Sequence, residues 1–247
     1  MNARLPKLIY LGLCVLLLLS GCSSPTFVEN QIAENIYGYT YPAVDAGSRD
    51  VVILLCGGSG FHEQYTQIAQ TLTENNFQVV LIDYYAGGED WGGNGIDTPE
   101  TLERYHQNVR DGIDWIINDS GMEPEHLYLL GFSYGATIGI NIAAERDDID
   151  ALVDFYGDMN MGIHNNQAPA EFVPQLPPLM LIYGDQDRVV GQDEGQQMID
   201  LLTQYNIPHQ EWLIPGMSHG FVTDQANADV VAEGLDKTIV WFREFGK

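Results

Sequence analysis

The chain has 247 residues, of which 10 are Lys or Arg and 35 are Asp or Glu, giving a formal net charge of −25. A surface with this excess of negative charge repels nucleic acid and anionic lipid headgroups, so neither is expected as a binding partner. The length is sufficient for one α/β domain with a full hydrophobic core, and the sequence contains no internal repeat.

The N-terminal residues have the order of an export signal. Two basic residues precede an apolar run from Leu8 to Leu19, which is short for a membrane-spanning helix, and Ser20-Gly21-Cys22 follows it. The segment Leu19–Cys22, LSGC, resembles the bacterial lipobox, in which the cysteine becomes the lipid-modified first residue of the mature protein. An ordinary signal peptide cleaved elsewhere, or an uncleaved anchor, is the alternative.

The lipobox resemblance implies that the chain has three parts. Residues 1–21 would be a lipoprotein signal peptide, residues 22–30 a lipidated N-terminus with a polar tether, and residues 31–247 a single domain. Lipid on Cys22 would hold the protein on a membrane of the bacterial cell envelope. Ser23 stands where lipoproteins kept at the inner membrane usually have Asp, so the resemblance favours the outer membrane.

Within the domain, β-branched apolar runs alternate with segments of helical periodicity. The predicted strands are Asp50–Gly58, Phe77–Tyr85, Leu127–Leu130, Ala151–Tyr156, Pro178–Gly184 and His209–Gly216. Helices are predicted around Tyr65–Leu72, from Thr98-Pro99 to Ile117, from residue 134 to about Arg146, around Met198–Tyr205 and over Asn227–Phe245. The alternation predicts the α/β class, with a mostly parallel sheet covered by helices on both faces. The stretch Gly157–Leu176 is predicted to be a loop or small lid.

The segment Gly131–Gly135, GFSYG, places a serine between two glycines where a buried strand is followed by a helix. This is the context of a nucleophile elbow, in which a sharp turn with small flanking residues exposes the serine hydroxyl. By itself the motif is weak, and Ser133 could be only a small residue in a tight turn. A serine nucleophile needs a histidine to take its proton and a carboxylate to orient that histidine. Candidates follow in the expected order at strand ends, namely Asp185 and Asp187, then His219.

From about residue 51 to the C-terminus, the chain resembles the dienelactone hydrolase-like group of the α/β-hydrolase superfamily. The matching segments are GFSYGA, YGDQDRVV and PGMSHGF, with DYYAGG and GIDWI as weaker matches. The resemblance implies an α/β-hydrolase fold with a small lid or none, no cofactor, and a catalytic triad of Ser133, Asp187 and His219. In the family pattern G-x-x-D-x-x-V the second aspartate is the triad acid, so Asp185 is the second choice and Asp154 the third. Dienelactone hydrolase proper has cysteine at the position of Ser133, so the resemblance extends to the triad and not to the dienelactone substrate.

The same fold implies two main-chain donors for the oxyanion of a tetrahedral intermediate. One is the N–H of Tyr134, and the other comes from the glycine-rich segment Cys56–Phe61, CGGSGF, where Gly58 and Ser59 are both candidates. Cys56 itself is predicted to be a buried apolar residue. The aromatic residues beside these strand ends are candidates for either the substrate pocket or the core: Tyr84, Tyr85, Trp91 and Phe132.

No metal site is predicted. The segment His62–Thr66, HEQYT, begins like the zinc motif H-E-x-x-H but has Thr66 at the position of the second histidine. The acidic residues of a glycine-rich loop, Glu89, Asp90 and Asp97, lack the regular spacing of a calcium loop and are expected to form a solvated rim.

The predicted function is that of a serine hydrolase, which cleaves ester-type bonds of a small-molecule or acylated substrate through an acyl-enzyme. A thioesterase or a peptidase would use the same triad, and the fold alone does not choose between them. The alternative from another class is a non-catalytic envelope lipoprotein that uses the hydrolase fold as a binding scaffold. A hydrogen-bonded line through Ser133, His219 and Asp187 would favour the enzyme.

Overall fold

Strands and helices alternate along the residues that the computed structural model describes, which are 27–34, 36–85, 98–158 and 169–246. The strands are β1 (Val28–Ala33), β2 (Ile36–Tyr41), β3 (Asp50–Leu55), β4 (Gln78–Asp83), β5 (His126–Phe132), β6 (Ala151–Phe155), β7 (Leu179–Gly184) and β8 (His209–Ile214). The helices are α1 (Glu63–Glu74), α2 (Pro99–Asn118), α3 (Tyr134–Ala144), α4 (Pro169–Phe172), α5 (Gln192–Gln204) and α6 (Ala228–Phe245).

Several sequence predictions lie outside the described residues. At the N-terminus these are the signal peptide, the lipidation site Cys22 and the first tether residues. In the glycine-rich loop they are Glu89, Asp90, Trp91 and Asp97. Among the helices in the described ranges, none has the length and hydropathy that crossing a membrane requires.

Eight strands form one sheet in the order β1-β2-β4-β3-β5-β6-β7-β8. Strands β1 and β2 form an antiparallel hairpin, and β2 is also antiparallel to β4. From β4 to β8 all neighbouring strands are parallel. The prediction of the α/β class with a mostly parallel sheet is confirmed. Because these strands point the same way, their carboxyl ends lie along one edge of the sheet, where ligands bind in such folds.

Helices cover both faces of the sheet. The apolar side chains of α1 and α6 pack against one face, and those of α2, α3 and α5 pack against the other. Strand β3 shows the reason, since every residue from Val51 to Leu55 is buried and successive side chains enter opposite layers. Full burial of one such aliphatic side chain contributes about 1.5–3 kcal/mol. Because many such side chains are buried in the two layers, their packing holds the strands, and therefore the strand ends, in place.

The hairpin β1–β2 was not predicted from the sequence. Strand β1 begins at Val28, so in the structure the last residues of the segment predicted as a tether belong to the sheet. All six β1 residues are exposed or half-buried, and this strand lacks the apolar periodicity that reveals a buried strand. Hydrogen bonds to β2 hold β1 in the sheet. Phe27, just before β1, adds aromatic contacts, with its ring centroid 5.4 Å from that of Tyr39 and 5.5 Å from that of Tyr41.

The stretch Gly157–Leu176 is only partly a loop. Residues 159–168 lie outside the described ranges, and α4 and a short 3-10 turn at Val173–Gln175 follow them. Phe172, Val173 and Leu176 are buried in the layer formed by α2, α3 and α5. The lid prediction is therefore wrong for this end of the stretch, because its apolar side chains are used to complete the core.

Candidate active site

The carboxyl ends of β5, β7 and β8 bring together three residues that are far apart in the sequence. Ser133 directly follows β5, while Asp187 and His219 lie in the loops after β7 and β8. The Ser133 Oγ lies 2.7 Å from the His219 Nε2, and the His219 Nδ1 lies 2.8 Å from the Asp187 Oδ2. The three predicted residues thus form one continuous hydrogen-bonded line.

The serine lies on a sharp turn between β5 and α3. Its backbone has φ +49° and ψ −119°, a conformation that costs a residue other than glycine about 1–3 kcal/mol. The Ser133 N–H donates to the carbonyl of Phe155 at 2.8 Å and so fastens the turn to β6. The flanking glycines are needed sterically, because a methyl group at Gly131 would collide with the backbone of Ala136 and one at Gly135 with the carbonyl of Cys56. The structure therefore has the elbow geometry that the GFSYG segment predicts.

Asp187 is held as the charged partner of the imidazole. Burial by itself would raise the pKa of this carboxyl group, but hydrogen bonds from His219 and from the N–H groups of Val190 and Val189 outweigh it and lower the pKa below its ordinary value. An ionised carboxylate accepts hydrogen bonds only, so the His219 Nδ1 is the protonated ring nitrogen. The Nε2 is then left as the acceptor that faces the Ser133 hydroxyl.

The other two candidate acids have different partners. Asp185 accepts a hydrogen bond from the N–H of Gly216 at 2.6 Å, and Asp154 accepts one from the N–H of Gly157 at 2.6 Å. Among the three candidate aspartates, Asp187 is thus the one hydrogen-bonded to the imidazole.

Asp154 and Tyr156 lie beside the hydrogen-bonded line, and the sequence did not predict that either residue adjoins His219 without bonding it. Burial raises the pKa of Asp154 to about 7, opposed by the Gly157 N–H, with Asp158 raising it further and His219 lowering it. Tyr156 has φ +49°, and its ring meets the His219 imidazole edge to face with centroids 5.0 Å apart. The segment DFYG at the end of β6 is not among the motifs recognised in the sequence, and the packing of β6 between β5 and β7 brings it next to His219.

The glycine-rich segment forms a tight turn beside the serine, closed by a hydrogen bond from the Gly60 N–H to the Gly57 carbonyl at 2.9 Å. A methyl group at Gly57 would lie 3.4 Å from the Ser133 Cβ, and one at Gly58 would lie 3.8 Å from the Tyr134 Cβ. Gly58, one candidate for the second oxyanion donor, therefore lies next to Tyr134, the first candidate donor.

The two residues that the sequence left open as the second donor differ in their surroundings. Ser59 is exposed, and its hydroxyl lies 2.8 Å from the His62 Nε2. Gly58 is half-buried and lies against Tyr134.

The remaining candidates belong to the core. Cys56, Tyr84, Tyr85 and Phe132 are all buried, and burial raises the pKa of the Cys56 thiol well above its ordinary value. Within the described ranges, no group of three or more His, Cys, Asp or Glu side chains is arranged to hold a metal ion.

A known protein family matches most of this chain. The model of the Dienelactone hydrolase family matches residues 36–246, which is most of the chain. The chain belongs to the dienelactone hydrolase family. An Escherichia coli (strain K12) protein named "Putative carboxymethylenebutenolidase" is 23% identical over 220 residues, which cover 83% of this chain and 80% of that relative.

Solved structures of similar fold include esterases. The Pyrococcus furiosus esterase Pf2001 matches with a TM-score of 0.70 and 18% identity, covering 93% of this chain and 98% of the esterase. The dienelactone hydrolase-like promiscuous phosphotriesterase P91 from metagenomic libraries matches with a TM-score of 0.72 and 15% identity, covering 89% and 97%. This member of the dienelactone hydrolase family therefore has the α/β-hydrolase fold, as predicted, and is a hydrolase.

Proposed function

We propose that this protein is a serine hydrolase that cleaves ester-type bonds of a small-molecule or acylated substrate through an acyl-enzyme. The observation that supports this most directly is the continuous hydrogen-bonded line from the Ser133 Oγ through His219 to Asp187. A protein that used the fold only as a binding scaffold would have no need for this alignment, nor for the strained backbone of Ser133.

In the proposed reaction, the Ser133 Oγ attacks the carbonyl carbon of the substrate while the His219 Nε2 takes the hydroxyl proton. The carbonyl oxygen becomes an oxyanion, which accepts hydrogen bonds from the N–H groups of Tyr134 and Gly58. The bond to the leaving alcohol then breaks, and His219 returns the proton to the departing oxygen. Asp187 stabilises the imidazolium that exists between these two transfers.

A water molecule completes the cycle. It attacks the carbonyl of the ester formed on Ser133, and His219 takes a proton from it as before. Collapse of the second tetrahedral intermediate releases the carboxylic acid, and His219 returns the proton to the Ser133 Oγ. Each step uses the same base and the same oxyanion donors, so no further group is required.

An ester substrate is proposed because esterases are among the proteins of similar structure. A thioesterase or a peptidase would use the same three residues, so substrate panels decide the leaving group. The panels should vary the acyl length in esters and thioesters and include peptide amides, with the hydrolysis rate as the measurement.

Labelling with a fluorophosphonate probe tests the mechanism, because the probe reacts with an activated serine. The full-length protein in mild detergent should be labelled, Ser133→Ala should not be, and Asp187→Asn should be labelled more slowly by about 10³–10⁴-fold. Asp185→Asn is the matched control, since it changes an aspartate two residues away that bonds Gly216 instead of His219. A folded wild-type protein that is not labelled, or labelling that persists in Ser133→Ala, would contradict the proposal and favour the binding scaffold.

We also propose that the hydrolase is held on the bacterial cell envelope, with the outer membrane favoured, by lipid on Cys22. The support is the LSGC segment and the small number of residues between Cys22 and Val28, where β1 begins. In bacteria fed an alkyne-tagged fatty acid, the wild-type chain should incorporate the tag and appear in the outer-membrane fraction. Cys22→Ser should lose the tag and Cys14→Ser should keep it, and equal labelling of both variants would contradict the anchor.

A further inference from the structure

Buried tyrosine hydroxyls converge on the backbone of the glycine-rich turn beside Ser133. The Tyr84 hydroxyl donates to the carbonyl oxygen of Cys56 at 2.6 Å, and the N–H of Gly57 donates to the Tyr65 hydroxyl at 3.0 Å. Tyr65 and Tyr84 are both at most 1% exposed. A phenylalanine would fill the same volume without a hydroxyl to satisfy, so these two polar groups need an explanation beyond packing.

The two tyrosines hold the same peptide group from opposite sides of the sheet. The Cys56 carbonyl and the Gly57 N–H belong to one planar trans peptide, in which these two bonds point in opposite directions. Tyr65 belongs to the core layer of α1 and α6, whereas Tyr84 belongs to the layer of α2, α3 and α5. One hydroxyl from each layer therefore fixes the orientation of this peptide plane, and we name Tyr65 and Tyr84 the tyrosine clamp.

The next peptide group along the chain contains the proposed oxyanion donor. The Gly57 carbonyl accepts hydrogen bonds from the Gly60 N–H at 2.9 Å and from the Tyr85 hydroxyl at 3.4 Å. The Gly58 N–H shares this peptide plane and points away from that carbonyl. Because Gly57 and Gly58 have no side chains to restrict their backbone, the direction of the Gly58 N–H depends on these hydrogen bonds and on the orientation of the preceding peptide group, which the tyrosine clamp holds.

The structure assigns a function to the tyrosine clamp: Tyr65 and Tyr84 are positioning residues that aim the Gly58 N–H at the oxyanion. This inference rests on the proposed serine hydrolase function. Oxyanion donors contribute through preorganisation, and a displacement of about 1 Å in such a group can cost about 10²-fold in rate. Neither tyrosine touches the Ser133–His219–Asp187 line through a hydrogen bond, so the clamp acts on a separate part of the machinery.

Hydroxyl deletions test the clamp with little change of volume. In Tyr65→Phe and Tyr84→Phe the kcat for an activated ester should fall by about 10- to 100-fold with KM within about threefold of wild type. The matched control is Tyr41→Phe, because Tyr41 is about as buried and its hydroxyl bonds the Thr66 Oγ1 at 3.2 Å and not the backbone of the turn. Thermal unfolding of all three variants reports whether they fold equally well.

A thiono ester separates positioning of the oxyanion donor from general damage to the site. Its C=S group forms an anion that is a poor hydrogen-bond acceptor, so the loss in the clamp variants should shrink to less than about threefold with this substrate. The double variant should lose about as much as the more affected single variant, because both hydroxyls hold one peptide. This non-additivity is a readout that two independent packing defects would not produce.

The outcomes separate this inference from the proposed function. If the wild-type protein hydrolyses the ester and both clamp variants keep full kcat, the positioning role of the tyrosine clamp is wrong and the proposed function stands. Equal losses with the ester and the thiono ester would overturn the positioning role as well, since the defect would then not concern the oxyanion. Wild-type protein that neither hydrolyses esters nor reacts with the fluorophosphonate would overturn the proposed function and the clamp with it.

Discussion

Asp154 should make the stability of this protein depend on pH. Its carboxyl group is only 3% exposed, accepts a hydrogen bond from the Gly157 N–H, and has its pKa raised by burial from 3.8 to about 7. The groups that act on it are that N–H, the Asp158 carboxylate and the His219 imidazole. Asp154→Asn replaces the protonated acid by an uncharged side chain of the same shape that keeps the acceptor oxygen.

Whether stability rises or falls with pH depends on whether the folded or the unfolded chain holds the Asp154 proton more tightly. Below the unfolded pKa both states are protonated, and the stabilising effect of the raised pKa is complete. As the pH rises toward 7 the unfolded chain ionises first while folded Asp154 keeps its proton, so the free energy of unfolding falls. The full loss for a shift of this size is about 4 kcal/mol, of which about 2 kcal/mol falls between about pH 5.5 and about pH 8.5.

Urea unfolding of wild type and Asp154→Asn at these two pH values measures the effect. The difference in unfolding free energy between the two proteins should move by about 2 kcal/mol in favour of Asp154→Asn as the pH rises from about 5.5 to about 8.5. Asp236→Asn, which removes an exposed carboxylate, is the control for the change in net charge. Parallel pH profiles for wild type and Asp154→Asn would refute the reasoning, because they would mean that Asp154 ionises equally in the folded and unfolded chain.

Three further predictions follow from the geometry of the site. Gly135→Ala should lower the free energy of unfolding by about 2–3 kcal/mol, because the added methyl group meets the Cys56 carbonyl. Gly191 has open space around it, so the control Gly191→Ala should stay within about 1 kcal/mol of wild type. Thermal unfolding compares the two variants, and equal stabilities would contradict the steric argument. Asp187→Asn should lower kcat by about 10⁴-fold without loss of secondary structure by circular dichroism, and full activity would rule out Asp187 as the acid. Cys56 should not react with a thiol reagent in the native protein at pH 8 but should react in urea, and fast native labelling in a Cys14→Ser, Cys22→Ser background would contradict its burial.

The fold class could be predicted from local patterns. Runs such as DVVILL at β3 and PLMLIYG before and within β7 are apolar on both sides, which is typical of parallel strands buried between two helical layers. Helix starts such as Thr98-Pro99 have their own local chemistry, and in the structure the Thr98 hydroxyl accepts from the Thr101 N–H. The hairpin β1–β2 was missed because an edge strand with exposed side chains has no such pattern.

The candidate site could be predicted in outline for a related reason. Ser133, Asp187 and His219 each follow a strand of a parallel sheet, so their loops had to meet at one edge. Choosing Asp187 over Asp185 relied on a family resemblance, since both aspartates follow β7. In the structure the choice is a matter of direction, because Asp185 turns toward the Gly216 N–H and Asp187 toward the imidazole.

The sequence by itself determined the types of the elements, the parallel sheet and the candidate residues at its edge, because these depend on periodicity and motifs among neighbouring residues. Only the tertiary structure decided which hydrogen bonds those residues make. The tyrosine clamp joins α1, the end of β4 and the glycine-rich turn, and Asp154 owes its raised pKa to the helices and strands that bury it. Contacts of this kind depend on how the two helical layers pack over the sheet, which no pattern within one segment can encode.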